Sequence, residues 1–149
     1  MAVIAAPVGA ADVDPDRDGV IAVAVDIKPG SDRNPVNVHS RGKLPIALLG
    51  SDALNVREVD PSTVLLRWAG ISPADSPGLP PTDWSLEDVN RDGYVDMLLK
   101  YDMVAAQPFT LTDEATGALV MHLAGEFYDG TQIAGRDTVF IINNRNGRR

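Results

Sequence analysis

Hydrophobic residues fall into short runs separated by clusters of Gly, Pro, Asn and Asp, a rhythm that predicts many strands rather than long helices. The runs are "VIAVAVDI" (20–27), "VNVH" (36–39), "KLPIALLG" (43–50), "TVLLRWAG" (63–70), "YVDMLLKY" (94–101), "PFTLT" (108–112), "GALVMHLAGEF" (117–127) and "RDTVFIIN" (136–143). Eight such segments are enough for a two-layer sandwich. In the first run Ile21, Val23, Val25 and Ile27 share one face at period two. In "GALVMHLAGEF" Leu119, Met121, Leu123 and Gly125 alternate with Val120, His122, Ala124 and Glu126, so one face is the greasier, as in a strand laid on a core.

Turn chemistry fills the gaps. "KPGSDRNP", "NRDG", "YDG" and "AGRD" carry the residues that tight turns demand. "VDPSTV" predicts a turn at Asp60–Pro61 leading into a strand near Thr63, and the proline-rich "ISPADSPGLPPTDW" (71–84) predicts an irregular surface loop. Residues 1–19 are expected to lie outside the sandwich, 20–143 to form it, and 144–149 to be a flexible tail. The start, "MAVIAAPVGAADVD", has the small-residue pattern that ends a secretory signal but no basic region before it. A truncated export signal and a merely floppy terminus are both open readings.

Composition narrows the function. The 149 residues suit one domain, and aromatic residues are only 5% of them, so Val, Ile, Leu and Ala must build the core. Twenty-one acidic residues against thirteen basic ones give a net charge of −8, which repels nucleic acid and anionic membrane surfaces. Cysteine is absent, which removes disulfides, thiolate metal sites and cysteine nucleophiles. No run approaches the roughly 18 apolar residues of a membrane span. A monomer is expected.

The charge is concentrated in "EDVNRDGYVDM" (87–97). Counted from Asp88, the segment places Asp88, Asn90, Asp92, Gly93, Tyr94 and Asp96 at positions 1, 3, 5, 6, 7 and 9. Hard oxygen ligands at 1, 3 and 5, a glycine for the sharp turn at 6 and a backbone carbonyl at 7 form the front half of a calcium (Ca2+) loop of the EF-hand type. Position 12 is Leu99, without a side-chain oxygen, so Asp96 must help close the shell. The run that follows reads as a strand with Val95, Met97, Leu99 and Tyr101 on one face, with a helix as the alternative. A cation among these oxygens relieves the cost of crowding like charges; the plainer reading is a solvated acidic turn that binds nothing. A second run, "DVDPDRDGV", repeats only the front half, with Asp14, Asp16 and Asp18 as ligands and the Val20 carbonyl at position 7, and at most describes a weak site filled at millimolar calcium.

Other chemistry finds less support. His39 and His122 lie inside predicted strands at no zinc spacing, and no G-x-S-x-G elbow occurs. A glycosidase needs two carboxylates across a cleft, and Glu114 and Glu126 stand alone. Trp68 and Trp84 can stack on a sugar ring if exposed; the plainer reading makes them core residues at the sandwich edge.

Five segments, "VAVDIKPGSDRNP", "GKLPIALLG", "DPSTV", "LEDVNRDGYVDMLLKYD" and "LAGEFYDGTQIAGRDTVFII", together resemble an accessory module found in secreted and surface-anchored bacterial and archaeal proteins. The resemblance spans roughly residues 23–142. It implies an extracellular, all-β, antiparallel β-sandwich of immunoglobulin-like, Greek-key type. It carries the calcium-loop role onto Asp88, Asn90, Asp92 and Asp96 and carries no catalytic residue. The expected function is a non-enzymatic, calcium-stabilised accessory domain. The alternative is a carbohydrate- or protein-recognition module, whose partner would be a polysaccharide or a neighbouring domain of the parent protein.

Overall fold

The computed structural model describes residues 19–31, 34–37, 41–68, 78–103 and 117–142, with only the backbone of Asn37 and Trp68. Nine strands are found among them: β1 (Val20–Ala22), β2 (Ala24–Ile27), β3 (Pro35–Asn37), β4 (Lys43–Leu49), β5 (Val59–Trp68), β6 (Asp83–Glu87), β7 (Asp96–Asp102), β8 (Gly117–Phe127) and β9 (Gln132–Ile142). They form two sheets. The first runs β1-β9-β8-β5, with β3 also on β9; the second runs β2-β4-β7-β6. Pairing is antiparallel except where β1 and β3 lie parallel to β9. Strands distant in sequence are neighbours, β4 beside β7 and β5 beside β8, as Greek-key connections require. The chain is therefore an all-β sandwich.

Alternation along the strands builds the core. Ile27, Ile46, Leu48, Met97 and Leu99 of the second sheet and Val64, Leu66, Met121, Leu123, Ile133, Val139 and Ile141 of the first are buried in one cluster. Tyr101 is the polar tie within it: fully buried, its hydroxyl donates to the Val64 carbonyl at 2.9 Å, joining the sheets. Burial pushes that phenol well above its ordinary pKa, so it stays a donor.

Three sequence expectations change. The run 20–27 is not one strand: Val20–Ala22 pair with Gln132–Ala134 of β9, the Val23 amide donates to the Ala134 carbonyl, and Ala24–Ile27 pair with β4 in the other sheet. Gly135 makes the crossing possible, because a Cβ there would strike the Val23 carbonyl and the Val25 side chain. "VDPSTV" is not a turn before a strand but a register shift inside β5, between Asp60 and Leu65. There Asp60 accepts from the Ser62 amide and hydroxyl, and the Thr63 hydroxyl accepts from the Glu126 amide at 2.9 Å in place of a ladder partner. The predicted loop 71–84 ends in a strand, since Asp83–Glu87 pair along β7 as the outer strand of the second sheet. Of the segment 94–101, residues 96–101 are strand, within β7, as the period-two reading required, while Tyr94 and Val95 belong to the loop before it. The segment 108–112, His39, Glu114, the leader 1–18 and the tail 144–149 lie outside the described residues.

Candidate metal centre

The β6–β7 hairpin brings the acidic loop to the end of the sandwich where β4 finishes. Glu87 and Asp96 pair across its base, and residues 88–95 wind between them. The winding is driven by side chains that accept from the backbone. The Asp88 carboxylate accepts from the Asp92 amide (3.2 Å) and the Gly93 amide (2.9 Å), and Asp92 accepts from the Tyr94 amide (2.9 Å). Arg91 (φ 60°) and Gly93 (φ 93°) take the left-handed conformations that this coil needs.

Asp96 is the fixed point. Its side chain is fully buried, one oxygen accepting from the Gly50 amide at 2.8 Å and the other from the Val89 amide at 2.9 Å. Gly50 is required there, because a Cβ would collide with the Val95 carbonyl. Asp96 thus ties the end of β4 to the acidic loop before any ion is considered. Each of its oxygens keeps a second lone pair, so anchoring the loop and coordinating a cation are compatible.

The coil gathers Asp88, Asp92 and Asp96, and one oxygen of each lies within 4.8 Å of the others. Two oxygens on one calcium are separated by at most about twice the 2.3–2.6 Å ligand distance, so the trio has the right span. The chemistry of the set, carboxylate oxygens without nitrogen or sulfur, suits a hard divalent cation. Asn90 is exposed in the same loop, and with Asp92 it borders a depression of about 280 Å³ whose far wall is Ile21–Ala24. Tyr94 is 42% exposed and lines a different depression, with Arg57 and Gly93.

Of the second acidic run, Asp14, Asp16 and Asp18 lie outside the described residues, and Val20 is a half-buried residue of β1 paired with Gln132. Trp84 is not a core residue: it is 47% exposed on β6, next to Leu86 at 45% one pair along. His122 sits half-buried in β8, paired with Arg136 and Arg67 on its two sides. Sequence reasoning missed the partners of Asp96. The signal for one of them was available: a glycine closing the apolar run of β4 marks a close backbone approach.

Among the described residues no helix is long and apolar enough to cross a membrane. The chain matches no protein-family model and no curated relative. A solved structure similar to it is that of AggA, the major subunit of aggregative adherence fimbriae type I from Escherichia coli, at 13% identity and a TM-score of 0.32, over 82% of this chain and 94% of that one.

Proposed function

We propose that the protein is a non-enzymatic accessory domain of a secreted or surface-anchored bacterial protein, stabilised by calcium held in the loop 88–96. One observation carries the reading: the carboxylates of Asp88, Asp92 and Asp96 converge to within 4.8 Å, on a loop coiled by their own bonds to backbone amides. Asn90 and the Tyr94 carbonyl would complete the shell with water. The ion then acts as a staple between β6, β7 and the end of β4, and the millimolar calcium outside cells suits such a site. Magnesium fits less well, because it holds its waters and demands a tighter octahedron.

Binding to the folded state alone adds about 2.7 kcal/mol at one hundred times Kd. For a domain of this size that raises the melting temperature by about 5–10 °C. Thermal melts in chelator and in millimolar calcium measure it. Asp88→Ala and Asp92→Ala should melt alike in both, and a wild-type chain that melts at one temperature in both overturns the staple.

A second reading, recognition of a polysaccharide, is favoured by aromatic rings held at the surface: Trp84, Tyr94 and Tyr128 are 47%, 42% and 70% exposed. Loops ordered by calcium would serve it equally well, so the two readings are compatible.

A further inference from the structure

The end of the sandwich that carries the acidic loop also carries two exposed tyrosines with an arginine between them. Arg57 borders two adjoining depressions. One, of about 330 Å³, is shared with Glu58, Phe127, Tyr128 and Asp129; the other, of about 260 Å³, is shared with Asn55, Gly93 and Tyr94. Three separate loops therefore meet at Arg57: the 3₁₀ turn Val56–Glu58, the β6–β7 loop and the β8–β9 hairpin.

Each loop is pinned by its backbone. Asn55 caps the 3₁₀ turn by accepting from the Arg57 amide at 3.0 Å. The Tyr128 amide donates to the Glu58 carbonyl at 2.9 Å, joining the hairpin to that turn. Asp129 accepts from the Thr131 amide at 2.8 Å, and this bond holds its carboxyl below the usual carboxylate range, so it remains an acceptor. Tyr94 is set by the hydrogen bond that its amide donates to the Asp92 carboxylate at 2.9 Å. The rings are thus presented on a prearranged frame, which lowers the entropic cost of binding.

The chemistry identifies the ligand class. Tyrosine offers a flat apolar face with a polar tip, and Arg57, Glu58 and Asp129 alternate donors and acceptors beside it. Sugar hydroxyls donate and accept at once, so they match both kinds of group. Anionic ligands face two carboxylates and a chain of net charge −8. We infer that the surface of Tyr94, Arg57 and Tyr128 binds a neutral oligosaccharide, with the rings stacking on sugar faces and Arg57, Glu58 and Asp129 bonding hydroxyls. This placement rests on the recognition reading and assigns it to the loop end rather than to Trp84 on the outer strand β6.

The test is an amide-resolved NMR titration of the whole chain in calcium with cellohexaose, xylohexaose, mannohexaose and N-acetylchitohexaose at millimolar concentration. At least one sugar should shift the amides of residues 55–58, 93–95 and 127–130. Tyr128→Ala and Arg57→Ala should each weaken that sugar about tenfold at unchanged melting temperature, while Tyr128→Phe and Trp84→Ala leave its affinity close to wild type. Shifts confined to β6 around Trp84 would overturn the placement and keep the recognition reading. Silence with all four sugars would overturn both, leaving the calcium staple to its own melting test.

Discussion

Two aspartates do similar structural work in this sandwich and sit in opposite electrostatic company. Asp96 joins the end of β4 to the β6–β7 loop through the Gly50 and Val89 amides. Asp137 of β9 joins the sheets by accepting from the Ile27 amide (3.0 Å), its neighbour Thr138 (2.8 Å) and the Asn34 side chain (3.1 Å). Around Asp137 three donors meet one carboxylate, and the nearby acid, Asp26, responds by an upward pKa shift, owed first to burial and then to the Asp137 charge. Around Asp96 the amide donors are shared among three carboxylates whose oxygens lie within 4.8 Å. The half-buried Asp137 is a lone carboxylate met by backbone and side-chain donors, whereas the loop brings three carboxylates together, the arrangement that a divalent cation would neutralise in the proposed staple.

The comparison breaks most sharply at Asp96. Asp96→Ala leaves the Gly50 and Val89 amides without their charged acceptor and should cost about 3–4 kcal/mol by urea denaturation. It should also erase the calcium response. A loss below about 1 kcal/mol would show that this aspartate anchors nothing.

Asp137→Ala comes next, at about 2–3 kcal/mol, since Asp137 is itself only half-buried and Thr138 is exposed, so water can replace part of what is lost. Its calcium-dependent rise in melting temperature should equal that of the wild type. If the rise shrinks with Asp137→Ala, the two regions are coupled and the contrast between them is false.

The smallest effect is a gain. Because the folded-state pKa of Asp26 is raised, its ionisation opposes folding: the stability linked to this group is full below the ordinary value of 3.8 and is lost as pH rises through the folded value. Asp26→Asn should therefore melt slightly above wild type at neutral pH, with the gap closing below pH 3.8. A gap that persists in acid would assign the gain to packing instead.

The strands were legible where a single rule governs them. β8 has the bounds its alternation predicts, and β4 and β7 differ by a residue or two at their ends. β6 was not legible, because "DWSLE" lacks an apolar run and becomes a strand only by pairing with β7. The break at Val23 was hidden for a related reason: its cause, Gly135, lies 112 residues further along. At the acidic loop the spacing of Asp88, Asp92 and Asp96 announced their convergence, while the burial of Asp96 against Gly50 did not show, because that contact joins residues 46 positions apart. The meeting of Arg57, Tyr94 and Tyr128 left no local signal at all, their loops being far apart in the chain.

The sequence by itself determined the β class, the faces that build the core and the spacing of carboxylates in the acidic loop, because periodicity and turn chemistry act between residues a few positions apart. Tertiary structure alone decided which strands change sheets, which carboxylate is buried as an anchor and which loops share one end of the sandwich. Those outcomes depend on contacts between segments distant in the chain, and local patterns do not encode them.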